Sequence, residues 1–205
     1  MNPVIDAIKK RRSVRSYRDE PVPRDVIEAV IDAGNWAPAG HNLQDWRFVV
    51  AEDGAFRRQL LAAARPTFRN WVKGTRDSTD EHHRATMAGL FSRCLGWAVD
   101  SYEAGMDRML DKEDGVYWDA PVVIFVIGGP PPDCAMVCQN MMLAAQSLGL
   151  GSCIVGFGSV VTSDAEIVAA LELRENERIY GPVVMGYPAI VPDAPPKKPP
   201  AVKWI

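Results

Sequence analysis

An unbroken apolar run rich in Val and Ile, residues 120–127, is the feature that most constrains the fold of this chain. A run of this length between turn residues is typical of a strand that is buried on both faces. Glycines and prolines at 128–132 end the run. Asp133 is expected to cap the next helix, which reaches Leu148 and is apolar nearly all round. We therefore predict a buried strand followed directly by a central helix.

Shorter patterns predict the surrounding elements. Apolar residues at helical spacing favour helices, and short runs rich in Val and Phe favour strands. A capping box of Ser163 and Glu166 is expected to open the last helix. The predicted helices cover 3–10, 24–34, 56–64, 81–109 and 163–173, and the further strands cover 46–52, 152–157 and 180–187. Residues 65–80 are expected to be irregular, and the proline-rich tail 188–205 is expected to be extended.

The composition narrows the class of protein. The chain has 205 residues, of which 47% are hydrophobic and 24% charged, so we predict one soluble domain spanning 1–205. A pI of about 5.6 and a net charge of -3 argue against nucleic acid as a partner. The chain contains neither a long apolar run nor a basic segment leading into one, so we expect no membrane span and no signal peptide. We therefore expect a cytoplasmic protein with four reduced cysteines.

Three arginines and a serine lie within five residues just after the first predicted helix: Arg11, Arg12, Ser13 and Arg15. Arginine presents a planar fork of donors that matches phosphate oxygens, and serine adds a neutral donor. In a chain of net negative charge, such a cluster indicates one bound anion. The alternative is a solvated basic turn that pairs with nearby acids.

Two other features leave alternatives open. The loop 36–45 contains small residues followed by Asn42 and Gln44, so it is either a ligand-contacting loop or a plain connection. Cys134 and Cys138 share a helix face and could bind a metal. We favour two buried apolar groups, because no further Cys or His completes a ligand set, and we predict no metal site.

Five segments follow one another in a distinctive order. They are 11–17 (Arg-Arg-Ser-Val-Arg-Ser-Tyr), 37–44 (Ala-Pro-Ala-Gly-His-Asn-Leu-Gln), 119–121 (Asp-Ala-Pro), the helix and turn 140–157, and 186–188 (Gly-Tyr-Pro) before a proline-rich end. In this order they resemble the nitroreductase family of flavin mononucleotide (FMN) enzymes. The resemblance implies an α+β three-layer sandwich, with a mostly antiparallel sheet of four to five strands flanked by helices. It also implies a homodimer with a domain-swapped tail.

The resemblance assigns cofactor roles to particular residues. Arg11, Arg12, Ser13 and Arg15 would hold the FMN phosphate, ribityl chain and pyrimidine edge, and Val155 and Gly156 match the turn whose backbone amides approach the ring. Two basic residues of the tail, Lys197 and Lys198, would join the phosphate site. The loop 36–45, called the second loop below, would contact the ring of the FMN bound by the partner subunit. Its contacting residues would be Pro38, Ala39, Asn42 and Gln44.

The resemblance also implies a reaction. FMN would carry the chemistry, so no catalytic side chain is assigned. NAD(P)H would act as a transient electron donor, and a nitroaromatic, quinone or enone as acceptor, in a ping-pong cycle. Residues 65–117 would form a variable helical lid over the acceptor. The alternatives are a flavin-fragmenting or dehalogenating enzyme on the same scaffold, and a non-catalytic FMN-binding protein for storage or sensing.

Overall fold

The computed structural model describes residues 2–205. It contains seven α-helices and four strands within that range. In chain order they are α1 (Pro3–Lys10), α2 (Arg24–Asn35), β1 (Trp46–Ala51), α3 (Gly54–Thr75), α4 (Glu81–Gly89), α5 (Tyr102–Asp111), β2 (Val122–Gly128), α6 (Pro131–Ser147), β3 (Gly151–Ile154), α7 (Ala165–Ala170) and β4 (Arg178–Gly186). A π-helical turn, Leu90–Cys94, follows α4, and 3₁₀ turns cover Gly40–Asn42 and Gly156–Ser163.

The four strands form one antiparallel sheet in the order β1-β2-β4-β3. Strand β2 is central, and each of its residues is buried. It pairs with β1 from Trp46 opposite Gly128 to Ala51 opposite Val123. The strand predicted from the apolar run is therefore confirmed, displaced by two residues at its start and one at its end.

Alternate residues of β2 face two separate apolar layers, as the two-residue period of a strand requires. Val122, Ile124 and Val126 pack with α2 and α6, while Val123 and Phe125 face α3, α4, α5 and α7. The sheet is thus covered by helices on both faces. The predicted α+β sandwich with an antiparallel sheet is confirmed, and the homodimer with a swapped tail stays a prediction.

Three helix starts differ from the sequence prediction, and that of α3 lies at Gly54, two residues before the predicted one. Helix α6 begins at Pro131, whose ring fixes a helical φ and whose missing N–H is not needed in the first turn. Asp133 is therefore inside the first turn rather than the cap. Helix α7 is capped by Asp164, which accepts the N–H of Glu166 at 3.0 Å, so the predicted capping box at Ser163 is wrong.

Residues 65–117 differ most from expectation. The predicted irregular stretch over 65–80 is wrong for 65–75, because α3 continues through Pro66 to Thr75 and buries Phe68 and Val72 along one side, whereas 76–80 contain no helix or strand. The predicted single helix over 81–109 is also wrong. Gly96, at a φ of +64°, redirects the chain, and a new helix starts after Ser101, whose side chain accepts the Ala104 N–H at 3.1 Å.

The tail is tied to the body only near its start. The Arg18 N–H donates to Tyr187 and the Ala189 N–H donates to Ser16, both at 2.9 Å. Residues 190–205 contain no helix or strand, and all of 193–205 are exposed. Trp204 is 90% exposed, which leaves a large apolar side chain uncovered by its own chain. Across residues 2–205, no helix combines the length and the apolar character needed to cross a membrane.

Candidate functional site

The segment 11–15, called the arginine segment below, is bonded to the edge strand β3. Ser13 forms a parallel bridge with Ser152, and the Val14 N–H donates to the Ser152 carbonyl at 3.1 Å. Val14 is buried, and a Cβ on Gly151 would come within 2.7 Å of its side chain. The Tyr17 hydroxyl donates to the Val14 carbonyl at 2.7 Å. Close packing on a glycine therefore holds the segment in place.

The predicted phosphate-binding residues border one cavity of about 800 Å³. Arg11, Arg12, Ser13 and Arg15 line it together with Lys197, although Arg15 and that lysine are 182 positions apart in the chain. Lys198 is exposed and lies outside the lining. Other walls come from α1, α4, the π-helical turn and the tail segment 192–195.

The charge of this cavity is strongly positive. Its lining has one carboxylate, Asp193, against six cations: Lys9, Arg11, Arg12, Arg15, Arg93 and Lys197. Among residues 2–205, none of these six forms an ion pair with a carboxylate. Gathering unpaired cations costs electrostatic energy, which an anionic ligand offsets. The arrangement therefore suits a phosphate or another multiply charged anion.

Arg93 and Lys9 were missed by the sequence analysis. The predicted regular helix over 81–109 gave no reason to aim Arg93 at the arginine segment. The π-helical turn brings Arg93 and its neighbour Cys94 into the cavity wall. A Cβ on Gly89 would clash with the Arg93 guanidinium, so this glycine leaves room for it. The sequence signal that could have indicated this arrangement is Gly89, four residues before Arg93.

A second, smaller cavity of about 170 Å³ adjoins the first, and Arg15, Met87 and Leu90 line both. Its lining is otherwise uncharged and rich in aromatic side chains, namely Phe68, Trp71, Trp118 and Phe157. Phe157 lies edge-on to Phe68 with ring centroids 5.5 Å apart. Aromatic walls of this kind favour flat apolar groups.

Val155 and Gly156 lie in the wall of the aromatic cavity, as their predicted role requires. The Val155 N–H, however, already donates to the Pro182 carbonyl at 3.0 Å, so it is not free for a ligand. Gly156 is the first residue of the 3₁₀ segment Gly156–Ser163, a position whose N–H has no acceptor within the helix. Of the two predicted amides, Gly156 is thus the available donor.

The second loop lies outside both cavities. Pro38, Asn42 and Gln44 are exposed, Ala39 is partly exposed, and none of them lines either space. Asn42 and Gln44 have φ values of 55° and 49°, in the left-handed region that few non-glycine residues adopt. One chain therefore assembles the arginine segment and the Gly156 turn but not the loop.

The cysteines support the interpretation as buried apolar groups. Burial raises the pKa of Cys134 to about 11 and that of Cys138 to about 12, so both are thiols at neutral pH. Their immediate surroundings are the apolar contacts of α6. In the part of the chain that the structure describes, no three His, Cys, Asp or Glu side chains are grouped to hold a metal ion.

Comparison with known proteins gives consistent results. Residues 8–187 match the profile of the Nitroreductase family. The chain is 28% identical over 199 residues to chloronitrobenzene nitroreductase of Comamonas testosteroni, covering 90% of this chain and 86% of the relative. It is 27% identical to an FMN reductase [NAD(P)H] of Bacillus subtilis, covering 97% and 70% of the two chains.

A solved structure of similar size supports the same family. The nitroreductase of Bacteroides fragilis, determined with bound FMN, is 26% identical, covers 100% of both chains and superposes with a TM-score of 0.70. The profile match alone spans most of the 205 residues. The resemblance drawn from the five motifs is confirmed, and this chain belongs to the nitroreductase family.

Proposed function

We propose that the protein is an FMN-dependent oxidoreductase that passes electrons from NAD(P)H to a small organic acceptor. The observation that carries this proposal is the cavity lined by six cations, none of which pairs with a carboxylate among residues 2–205. The phosphate of FMN is an anion of the charge that such a cavity suits. The family membership and the bound FMN of the Bacteroides relative support the same cofactor.

The two adjoining cavities fit the two ends of this cofactor. Arg11, Arg12, Ser13 and Lys197 would hold the phosphate and the ribityl chain. Arg15 borders both spaces, so it would lie between the phosphate and the ring. The aromatic cavity offers a flat apolar site and the Gly156 N–H. A backbone donor there would stabilise negative charge that develops on the bound ring.

The exposed second loop supports a homodimer. We propose that Pro38, Ala39, Asn42 and Gln44 complete the site of the partner subunit. Trp36, just before these residues, and Leu43, between Asn42 and Gln44, are 80% and 68% exposed, and Trp204 of the tail is similarly uncovered. Large exposed apolar side chains are typical of surfaces that another chain covers.

When bound, FMN supplies the two-electron chemistry of a ping-pong cycle, in which NAD(P)H is the donor and a second substrate is the acceptor. The protein holds the cofactor, excludes water with the aromatic wall and orients both substrates in turn. Phe68, Trp71 and Trp118 favour a flat acceptor without charge, such as a nitroaromatic, quinone or enone. Residues 65–117 supply most of that wall and would act as the lid that sets specificity.

The test is a visible absorption spectrum of the purified protein with and without added FMN. We expect stoichiometric flavin, bleached by NADH or NADPH and restored faster by an acceptor than by buffer alone. Protein that takes up no FMN would contradict the proposal. Protein that holds FMN but is reoxidised no faster by any acceptor would favour storage or sensing instead.

A further inference from the structure

A buried carboxylate lies outside the cation-lined cavity. Asp114 follows α5 and is 9% exposed. Its Oδ1 accepts the N–H groups of Val116 and Tyr117 at 3.0 and 2.6 Å, and its Oδ2 accepts that of Asp119 at 3.0 Å. One side chain thus fixes most of the loop 114–119 that leads into β2.

The backbone of this loop is strained. Trp118 and Asp119 have φ values of 63° and 56°, in the left-handed region where Cβ crowds the backbone. Trp118 is a bulky residue and has no side-chain oxygen to favour that region. Strained residues of this kind persist only where the surroundings determine the conformation. The bonds to the Asp114 carboxylate provide that determination.

The loop directs one aromatic side chain to the aromatic cavity and a second to the segment that carries Gly156. Trp118 lines the cavity, and the Arg15 Cζ atom lies 5.9 Å from the centroid of its ring. The buried hydroxyl of Tyr117 donates to the Gly158 carbonyl at 3.2 Å. Burial raises the pKa of Tyr117, so its hydroxyl remains a donor. Gly158 lies two residues after Gly156, which belongs to the same 3₁₀ segment.

We propose that Asp114 is a positioning residue for the aromatic cavity and so determines how tightly a flat, uncharged acceptor binds. The carboxylate holds Trp118 against Arg15, and through Tyr117 it fixes the turn that carries Gly156. The kinetic part of this inference rests on the proposed oxidoreductase function. The structural part, the placement of Trp118, can be measured without flavin.

Asp114→Asn is the informative variant, because it keeps the size of the side chain but replaces one acceptor oxygen with a donor. Asp111→Asn is the matched control, since Asp111 is exposed on α5. Each variant is made with Trp118 and with Trp118→Phe, so that the difference in fluorescence reports on Trp118 alone among the six tryptophans. Quenching by acrylamide then measures how accessible the Trp118 ring is.

We expect Asp114→Asn to raise the quenching constant of Trp118 about twofold or more, and Asp111→Asn to leave it unchanged. An unchanged Trp118 signal in Asp114→Asn would overturn the inference, whether or not the protein binds flavin. If Asp114→Asn alone does not fold, the double variant Asp114→Asn with Asp119→Gly is measured instead, because glycine at position 119 adopts the left-handed backbone without strain. The double variant is expected to recover part of the wild-type signal.

In the flavin-loaded protein we expect KM for p-benzoquinone to rise about tenfold in Asp114→Asn, with kcat changed less than about twofold and FMN affinity lowered by less than KM is raised. The loop 114–119 lines the aromatic cavity proposed for the ring but not the cation-lined cavity, so the contacts to the FMN phosphate are kept. An equal loss of kcat and FMN affinity would indicate a general structural role and overturn the inference. A wild-type protein without flavin would refute the proposed function, and the fluorescence result would still decide the role of Asp114.

Discussion

The two halves of the predicted flavin site receive very different support from their own chain. The arginine segment 11–15 is bonded to β3, packs Val14 against Gly151 and borders a cavity. The loop 36–45 lies mostly on the surface, and its hydrogen bonds to the body include the Gly40 N–H, which donates to Asp133 at 3.3 Å, and the Asp45 carbonyl, which accepts the Gly129 N–H at 2.9 Å. Both segments match motifs of the family, but only the arginine segment lines a cavity formed by its own chain.

This difference indicates that the loop 36–45 makes its main contacts outside its own chain. Left-handed backbone at Asn42 and Gln44, beside an exposed Leu43, is costly and gains few contacts within the chain. Such features are retained when something outside the chain uses them. The comparison therefore predicts that damage to the arginine segment and damage to the loop affect one flavin site through two different subunits.

The largest expected effect is that of Arg15→Ala on cofactor binding. Removing a charge-assisted contact costs about 2 to 3 kcal/mol, or roughly 30- to 160-fold in the Kd for FMN. A fluorescence titration of FMN measures it. Arg18→Ala is the matched control, because Arg18 pairs with Glu20 at 3.1 Å and lies outside both cavities. Equal effects of the two variants would contradict the assigned role of Arg15.

The loop is tested by Asn42→Gly combined with Gln44→Gly. Glycine accepts the left-handed backbone, so the free energy of unfolding should not fall. Loss of two neutral contacts of about 1 kcal/mol each would weaken FMN binding roughly 30-fold. A titration beside a thermal melt separates the two quantities. A loop that only connects α2 to β1 would leave FMN affinity unchanged.

Mixing this loop variant with Arg15→Ala sharpens the comparison further. If each site takes Arg15 from one chain and the loop from the other, a heterodimer contains one intact site and one doubly damaged site. After subunit exchange, roughly a quarter of all sites should bind FMN with wild-type affinity. Sites built from a single chain would give none, so the absence of recovery after verified exchange would contradict the shared site.

A smaller effect is expected for Gly151→Ala, which tests how the arginine segment is held. The added methyl meets the Val14 side chain, and overpacking of this kind costs about 1 to 3 kcal/mol. Denaturant unfolding measures it. Gly74→Ala is the control, because nothing lies within 4 Å of a Cβ there and alanine favours the helix by about 1 kcal/mol. The same substitution should thus act with opposite sign at the two positions.

The smallest effect is expected for Asp133→Asn, which weakens the bond to the loop at Gly40. An exposed bond of this length contributes about 0.5 kcal/mol, so the melting temperature should hardly change. Hydrogen exchange of the Gly40 amide should nevertheless become faster, while exchange of the Val14 amide stays the same. Faster exchange at both amides would mean that the two halves are less independent than the structure indicates.

The strands of the sheet and helix α6 could be predicted from the sequence, because the pattern of apolar residues in each favours only one kind of element. The run around Phe125 is too apolar to be exposed and too short for a core helix, so burial as a strand follows. The arginine cluster was as easy to locate, since Arg11 to Arg15 are dense in an acidic chain, although the sequence left a solvated basic turn as the alternative. Local sequence determines both features.

Residues 65–117 could not be predicted in the same way. Pro66 suggested a helix end, but the packing of Phe68 and Val72 against the core carries α3 beyond it. The stripe from Met87 to Tyr102 suggested one helix, although Gly96 breaks it and a π-helical turn redirects Arg93. Tertiary contacts decide these points. They also determine that Lys197, and not Lys198, borders the cavity.

The tail segment in the cavity wall has a further consequence. Pro192 and Pro195 line the cavity just before Lys197, and each proline ring locks φ near a single value. Prolines at these positions restrict the backbone of the tail segment 192–195, so it would surrender little conformational entropy when Lys197 meets an anion. This restriction favours the use of a lysine from the tail in the cation-lined cavity.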